Sequence, residues 1–356
     1  MSILFSPLSI RSLHLKNRIV VSPMCQYSSE DGFANDWHLV HLGSRAVGGA
    51  GLIFTEATAI SPEGRISPDD LGIWKDDHIP GLKRITQFLR QNGTVAGIQL
   101  AHAGRKASHR RPWEGGTLIL PTAERGWQTL APSAIPFQES EPAPLALTVD
   151  GINQVLADFQ AAAQRALVAG FQVVEIHAAH GYLLHQFLSP LSNQRTDDYG
   201  GAFENRIRLL LKVIERVQTV WPAELPIFVR ISATDWTDGG WTIEDSVALG
   251  AILKTKGVDV VDCSTGGNVA NAKIPLKPGY QVPFAERIKR ETGIMTAAVG
   301  LITSAKQADA ILSAGQADLV LLAREFLRDP YFPLHAAHAM ENAISWPIQY
   351  ERARPR

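Results

Sequence analysis

The sequence predicts a closed parallel (β/α)8 barrel, a TIM barrel. Eight apolar runs of strand length alternate with helix-like segments along the 356 residues, and a polar residue or a glycine follows each run. Such alternation favours a parallel sheet, and eight repeats are the number that closes a barrel. An open doubly wound sheet is the alternative, but no Gly-x-Gly-x-x-Gly fingerprint follows an early strand. The Gly-Gly-Ala-Gly run at 48–51 precedes a strand and predicts a tight turn.

The elements of the first half are assigned from apolar runs and the residues that interrupt them. A long connection from 103 to 148 is rich in Pro, Gly, Trp and charged residues and has little periodicity. Loops of this length in compact domains are usually functional, so we interpret it as a capping loop. The preceding predicted strands are 18–24, 51–58 and 95–100, and the preceding predicted helices are 36–48 and 80–92.

The second half continues the same alternation. Trp221-Pro222 closes one predicted helix, and Gly257 caps another as a residue free to adopt positive φ. We expect a single domain over 1–356, with a C-terminal tail at 341–356. The predicted helices are 152–169, 203–220, 242–256, 282–292 and 304–314, and the predicted strands are 172–177, 227–231, 258–264, 295–299 and 317–322.

Bulk composition excludes several classes of partner. Lys plus Arg number 34 and Asp plus Glu 35, a formal net charge of -1, so neither nucleic acid nor an anionic membrane is expected as a partner. No uncharged apolar run reaches the ~20 residues of a spanning helix, and the N-terminus does not resemble a signal peptide. The two cysteines, Cys25 and Cys263, are too few for an iron–sulfur cluster. We therefore expect a cytoplasmic protein.

Two histidines and a tyrosine follow the fourth predicted strand. His177 and His180 are three residues apart, and Tyr182 comes two residues later. Two imidazoles can hold one electron-rich oxygen and a phenol can deliver a proton, so this pattern predicts a site that polarises a carbonyl compound and protonates its carbon skeleton. A structural zinc pair is the alternative, but no further ligand lies close in sequence to complete a tetrahedral site.

The last two strands end at a predicted phosphate site. Gly300 opens a turn before one helix, and Ala323-Arg324 begins another. Free backbone N–H groups and a guanidinium bind phosphate well, and the loops after strands seven and eight are the usual phosphate site of a barrel. In the alternative, Arg324 pairs with Asp318 or Asp329 on the surface.

Eight motifs are distributed along nearly the whole chain. They are Leu-Lys-Asn-Arg-Ile at 15–19, Pro-Met-Cys-Gln-Tyr at 23–27, Glu-Ala-Thr at 56–58, Gln-Leu-Ala-His-Ala-Gly-Arg-Lys at 99–106, His-Ala-Ala-His-Gly-Tyr at 177–182, Phe-Leu-Ser-Pro at 187–190, Asn-Gln-Arg-Thr-Asp-Asp-Tyr-Gly-Gly at 193–201, and Gln-Tyr-Glu-Arg at 349–352. Together they resemble the Old Yellow Enzyme family of FMN-dependent ene-reductases. The similarity is closest to the thermophilic-like subclass, which includes the xenobiotic reductases.

The resemblance implies a ping-pong reaction on FMN held non-covalently at the barrel mouth. NADPH, or less often NADH, reduces the flavin, which then gives hydride to the β-carbon of an alkene conjugated to a carbonyl or nitro group. His177 and His180 resemble the pair that binds the substrate oxygen, and Tyr182 resembles the proton donor. Tyr27 resembles the residue that closes over the substrate.

The resemblance also assigns cofactor contacts. Gln99 matches the residue at the flavin pyrimidine edge, and Arg230 matches the one beside flavin N1 and O2. Cys25 stands where, in the family subclass, a thiol tunes the flavin potential. The alternative is that Cys25 is a buried apolar cysteine without a role in the site, and we interpret Cys263 in this way. The alternative for Arg230 is a buried arginine with a well-placed carboxylate. The remaining implied flavin and phosphate contacts are Ser22, Pro23, Met24, Ala57, Gly300, Ala323 and Arg324.

The tail and three departures bear on assembly and specificity. Arg352 matches an arginine that reaches a neighbouring active site, which implies a homodimer or homotetramer. Ala323 replaces a family glycine, with little effect expected unless its φ is positive. The strand-seven loop lacks the xenobiotic reductase tryptophan, and the tail ends in a more basic segment, 353–356. The roles of His102 and Lys106 are left open.

Two other functions remain as alternatives. A dienoyl-CoA reductase shares the barrel but needs an iron–sulfur cluster and further domains. A phosphate-binding barrel without redox chemistry needs only Gly300 and Arg324, and leaves the histidine pair unexplained.

Overall fold

Eight parallel strands close into a barrel in the computed structural model, which describes residues 2–355. Four further strands form two small two-stranded sheets outside it. The strands are β1 (Leu8–Ile10), β2 (Leu13–Leu15), β3 (Ile19–Val21), β4 (Leu52–Ala59), β5 (Val95–Ala101), β6 (Leu130–Ala131), β7 (Leu145–Ala146), β8 (Val173–Ala178), β9 (Ile227–Ser232), β10 (Val260–Ser264), β11 (Met295–Ala298) and β12 (Leu319–Leu322). The order around the barrel is β10-β11-β12-β3-β4-β5-β8-β9. The predicted fold class is confirmed.

Helices surround the barrel and cover the outward faces of its strands. Side chains from the strands and helices form one continuous core, whereas the barrel interior forms a second, smaller one. The helices are α1 (Asp36–Val47), α2 (Ile79–Gln91), α3 (Val149–Val168), α4 (Leu183–Leu188), α5 (Phe203–Arg206), α6 (Arg208–Gln218), α7 (Ile243–Thr255), α8 (Val282–Thr292), α9 (Ala305–Ser313), α10 (Arg324–Arg328) and α11 (Phe332–Ala339).

The hairpin β1–β2 closes the N-terminal end of the barrel, and the sequence pattern did not predict it. Ile10, Leu13 and Leu15 are buried against the first interior residues of the barrel strands, such as Val173 and Phe228. This apolar plug excludes water from one end, so the opposite, C-terminal end carries the polar side chains.

Three predicted elements differ in extent or continuity. The helix expected over 203–220 is divided at Ile207 into α5 and α6, because Arg206 bonds to the carbonyls of Leu188 and Gly201 and ties α5 to the preceding loop. The first strand ends at Val21 rather than 24. The helix expected from 152 begins at Val149, since the Thr148 hydroxyl caps it by accepting from the Gly151 amide.

The capping loop is more ordered than its composition indicates. Strands β6 and β7 pair within it, and Arg105 ties it to the loop after β10 by donating to the carbonyl of Asn268 at 2.7 Å. The tail is described up to Pro355, and Arg356 lies outside the described residues. No helix within residues 2–355 combines the length and apolarity that crossing a membrane requires.

Candidate active site

Alternation along the barrel strands places polar groups above the apolar interior. On β8, Val173 belongs to the interior core, so Glu175 and His177 project to the same side at successively higher levels. On β9 and β10 the same period places Arg230 and Asp262 two residues beyond the interior residues Phe228 and Val260, and the register pairs Arg230 with Asp262 and with His177. The interior therefore changes from hydrocarbon to charge towards the C-terminal end.

The charged level is a buried network of four side chains. Nε2 of Gln99 donates to Oε1 of Glu175 at 2.8 Å, and Nε of Arg230 lies 3.0 Å from Oδ2 of Asp262 on the neighbouring strand. All four are at most 5% exposed. Asp262 is the carboxylate that the alternative interpretation of Arg230 required. The sequence analysis identified neither Asp262 nor Glu175 as part of this network.

The two acids of this network cannot both be charged at low cost. Burial, followed by the charge of Asp262, raises the pKa of Glu175 to about 8. Burial also raises the pKa of Asp262, against the opposing effect of Arg230. A single guanidinium therefore faces two carboxyl groups, one of which keeps its proton near neutral pH.

The predicted histidine pair and tyrosine meet above this level. The ring centroids of His177 and His180 are 5.1 Å apart, and those of His177 and Tyr182 are 5.0 Å apart, in edge-to-face arrangements. His177 is the penultimate residue of β8, whereas His180 and Tyr182 lie in the turn that follows. The three residues expected to act together are therefore neighbours.

The turn after β8 is held by groups from two other strands. The backbone N–H of His180 donates to Oγ of Ser232 at 2.9 Å, and Nε2 of His180 lies 2.7 Å from Oγ of Ser264. His180 has a φ of 61°, an uncommon conformation for a non-glycine residue. At Gly181 a Cβ would lie 2.2 Å from the carbonyl oxygen of Gly267, so only glycine fits there.

A second support, missed in the sequence analysis, lies beneath the turn. The amide of Gly181 donates to Nδ1 of His185 at 2.9 Å, and Nε2 of His185 lies 3.0 Å from Oδ1 of the buried Asp235. Asp235 also accepts from the amide of Trp241. His185 follows His177 by eight residues in an apolar segment, and that unexplained polarity is the signal that could have identified it.

The protonation states suit hydrogen bonding to a polar substrate. Burial, with Arg230 adding to it, lowers the pKa values of His177 and His180 well below the usual range, so both rings are neutral at pH 7. Burial raises the pKa of Tyr182 well above its usual range, with Cys25 and Asp70 adding to the effect. The phenol therefore keeps its proton.

The segment after β3 approaches the same region. The backbone N–H of Gln26 donates to Oε2 of Glu56 at 2.9 Å, which attaches this segment to β4. Burial raises the pKa of the Cys25 thiol well above its usual range, with Asp70 and Glu56 adding to it, so the thiol is neutral. The ring of Trp113, from the capping loop, stands edge-to-face against Tyr27 at 5.8 Å. The predicted flavin contacts Pro23, Met24 and Ala57 belong to this segment and to β4.

A cavity of about 220 Å3 lies at the ends of β11 and β12, where the phosphate site is predicted. Its lining includes Gly300, Ala323 and Arg324 together with Ser264. Arg324 does not pair as the alternative required: Asp318 pairs with Lys289 at 3.0 Å and Asp329 with His335 at 2.7 Å. The φ of Ala323 is -108°, so replacing the family glycine causes no strain.

One further donor lies next to the end of β12, the strand whose Leu321 lines this cavity. Ser22 is 1% exposed, its amide donates to the carbonyl of Leu322, and its Oγ has no hydrogen-bond partner within residues 2–355. A buried hydroxyl without a partner is costly unless a ligand or water satisfies it. The cavity, the guanidinium of Arg324 and this hydroxyl together fit a phosphorylated cofactor.

The remaining predicted residues lie elsewhere or have local roles. Arg352 is exposed in the tail, whose Tyr350 ring lies 6.1 Å from that of Tyr331. Nδ1 of the buried His102 accepts from the amide of Gly104 at 3.0 Å, so it shapes its own loop. Cys263 is fully buried, in agreement with the apolar interpretation. In the described part of the chain, no group of three or more potential ligands could hold a metal ion.

Comparison with known proteins gives concordant matches. The model of the NADH:flavin oxidoreductase / NADH oxidase family matches residues 3–343. An NADPH dehydrogenase of Listeria innocua is 51% identical over 355 residues, covering 99% of each chain. Morphinone reductase in complex with tetrahydroNAD has a TM-score of 0.78 at 30% identity, covering 97% of this chain and 92% of that chain. The old yellow enzyme homologue from Zymomonas mobilis has a TM-score of 0.77 at 29% identity, covering 97% of this chain and 95% of that chain.

Proposed function

The chain belongs to the NADH:flavin oxidoreductase / NADH oxidase family, as an Old Yellow Enzyme, and from this membership we propose that it reduces activated C=C bonds of α,β-unsaturated carbonyl or nitro compounds. It is an NAD(P)H-dependent flavin oxidoreductase that uses FMN. The observation that carries the finer proposal is the cluster formed by His177, His180 and Tyr182 above a buried cation.

The residues that would hold FMN extend from the phosphate cavity to the histidine pair. Gly300, Ala323 and Arg324 would bind the phosphate, and the unpartnered hydroxyl of Ser22 would face the cofactor. Gln99 and Arg230 would hold the pyrimidine edge from below. The remaining proposed contacts of the ring system are Pro23, Met24, Cys25 and Ala57. Bound there, FMN would supply the hydride transfer from NADPH to the β-carbon of the alkene.

His177 and His180 would bind the activating oxygen of the substrate. Both rings are neutral, so each has one N–H to donate. The amide of Ala179 donates to Nδ1 of His177 at 3.3 Å, which leaves the proton of that ring on Nε2. Negative charge accumulates on the substrate oxygen as the β-carbon receives hydride, and two donors placed there stabilise the enolate.

Tyr182 would complete the reduction by protonating the α-carbon. Its ring lies against that of His177, so a substrate whose oxygen binds the histidines places its carbon skeleton near the phenol. The raised pKa keeps the proton available at neutral pH. Tyr27 would cover the substrate from the opposite segment, with Trp113 packed behind it, and the neutral thiol of Cys25 would lie near the flavin ring.

We also propose that the enzyme is a homodimer or homotetramer in which Arg352 completes the site of a neighbouring subunit. Arg352 is exposed, and Ile348, in the same tail, is 84% exposed. An apolar side chain that exposed is more stable when a partner covers it.

The preference between NADPH and NADH is measured by comparing the rates at which each of them bleaches the flavin.

A visible absorption spectrum tests the proposal. The purified protein is reduced anaerobically with NADPH and then mixed with 2-cyclohexenone. Flavin bands that bleach with NADPH and return with the enone support the proposal. Bleaching without recovery by the enone contradicts the substrate class and leaves the flavin enzyme intact. A protein that does not bind added FMN favours a phosphate-binding barrel without redox chemistry.

A further inference from the structure

Lys106 is a half-buried cation with an unusual set of neighbours. Its Nζ donates to the carbonyls of His180 and Gly267, both at 2.9 Å. The same nitrogen lies 4.5 Å from the ring centroid of Phe137 and 5.3 Å from that of Tyr182. Within residues 2–355 no carboxylate lies within 4.0 Å of it.

The nearest acid does not neutralise this charge. Glu141 exerts an attraction on Lys106, but its Oε1 lies 3.3 Å from Nε2 of His109. Withdrawing an ammonium from water without a counter-ion is costly even when it is half-buried, and carbonyl oxygens and aromatic faces compensate only in part. Joining the loops that carry His180 and Gly267 does not by itself require a charge, since a neutral donor could bond to the same two carbonyls equally well.

We propose that Lys106 is a positioning residue for the proton transfer, whose ammonium stabilises the tyrosinate that forms when Tyr182 protonates the substrate. This rests on the proposed role of Tyr182. The O–H bond of Tyr182 breaks and a C–H bond forms at the α-carbon with the electron pair of the enolate. The negative charge passes to the phenolate oxygen, and a proton from water restores the phenol.

The surroundings of Tyr182 show why a cation matters there. Burial, Cys25 and Asp70 disfavour the tyrosinate, and the charge of Arg230, beneath the site, favours it. Lys106 lies on the capping-loop side, against the ring itself. Burial lowers the pKa of Lys106 to about 8, so most molecules carry the charge at pH 7. Lys106 also donates to the carbonyl of His180, so one side chain contacts both the proposed proton donor and a member of the proposed oxygen-binding pair.

The test compares Lys106→Met with Lys212→Met. Lys212 provides a matched control because its Nζ lies 5.0 Å from the ring of Tyr199 and 2.8 Å from that hydroxyl, in a pairing at α6 away from the site. The FMN-loaded variants are reduced with NADPH and mixed anaerobically with 2-cyclohexenone or with ferricyanide, in H2O and in D2O. Ferricyanide accepts electrons and requires no carbon protonation.

The expected result is selective. Lys106→Met slows reoxidation by the enone about tenfold or more, since a charge at this distance in a buried site is worth at least that factor. Its solvent isotope effect rises, because proton transfer becomes limiting. Reduction by NADPH and reoxidation by ferricyanide remain as in the wild type, and Lys106→Arg recovers part of the enone rate. Lys212→Met changes none of these rates.

A double variant separates the possible failures. If Lys106 acts through Tyr182, Lys106→Met adds nothing in a Tyr182→Phe background. An equal loss with both acceptors, or the same loss without Tyr182, would mean that Lys106 only attaches loops, and the inference is then wrong. If Tyr182→Phe itself leaves the enone rate unchanged, the proposed proton donor is wrong. If the Lys106→Met variant loses FMN or unfolds at a lower temperature than the wild type, Lys106→Gln is tested in its place with the same criteria.

Discussion

Oγ of Ser264 lies 2.7 Å from Nε2 of His180, and the same serine lines the cavity formed by Gly300, Ala323 and Arg324. Ser264 ends β10, and β9 separates β10 from β8, the strand before the turn that carries His180. A single hydroxyl therefore joins the proposed oxygen-binding pair to the proposed phosphate site. We therefore expect a change at Ser264 to affect both the binding of the cofactor phosphate and the orientation of the His180 ring.

His177→Ala should weaken the binding of phenols and enones. The variant removes one of two donors to the substrate oxygen, and a lost bond to a charged oxygen corresponds to about a tenfold to hundredfold rise in Kd. The measurement is the charge-transfer absorbance of the flavin during a phenol titration. His335→Ala, at an exposed histidine paired with Asp329, is the control. Unchanged phenol affinity in His177→Ala would count against the assigned role.

Tyr182→Phe should slow alkene reduction far more than flavin reduction. Only the oxidative half-reaction needs the phenolic proton, and a general acid contributes about a hundredfold or more. Stopped-flow absorbance measures the reductive step with NADPH and the oxidative step with 2-cyclohexenone separately. An equal decrease in both steps would show that the tyrosine affects cofactor binding or folding instead.

Arg324→Ala should weaken FMN binding about tenfold to hundredfold, because a guanidinium bond to phosphate is charge-assisted. Arg328→Ala is a matched control: Arg328 lines the same cavity but is paired with Glu325 at 2.8 Å. Fluorescence quenching of FMN on titration with apoprotein gives both Kd values. Equal effects of the two substitutions would indicate a general electrostatic contribution rather than a phosphate contact.

Glu175→Gln should alter the pH dependence of stability. The carboxyl of Glu175 has an ordinary pKa of 4.5, and burial raises it to about 8 in the folded protein. Between these values the folded state holds more protons than the unfolded chain, so this group makes the free energy of unfolding fall as pH rises. Glutamine cannot ionise, and the variant should lose less stability than the wild type from pH 5 to pH 8.

Urea unfolding at saturating FMN measures that slope. Glu204→Gln, at an exposed position on α5, is the control and should follow the wild type. If Glu175→Gln shows the wild-type slope, the proton held near neutral pH belongs to another group of the network.

Arg352→Ala should lower activity without affecting FMN content. If the arginine completes a neighbouring site, a mixture of Arg352→Ala and Tyr182→Phe subunits should regain activity, since a mixed dimer contains one intact site. Subunits are exchanged at low protein concentration, and the enone rate is followed with time. A monomer on gel filtration with full activity, or no recovery on mixing, would contradict the shared site.

Local patterns predicted much of the fold, and the failures have physical causes. The helix 282–292 has the predicted bounds, because a proline near its start and a glycine after its end mark them in sequence. The division at Ile207 was missed because it depends on bonds from Arg206 to carbonyls of another segment. The hairpin β1–β2 was missed because three-residue strands give too little periodicity to recognise.

The sequence by itself determined the barrel, the histidine pair with its tyrosine, and the residues of the proposed phosphate site, because strand periodicity and short motifs are local properties of the chain. Only the tertiary structure decided that Arg230 faces Asp262, that Asp235 supports the turn after β8 through His185, and that Lys106 lies against Tyr182. These contacts join residues from different strands and loops. Their pKa values and roles follow from burial and distance, which appear only when the barrel closes.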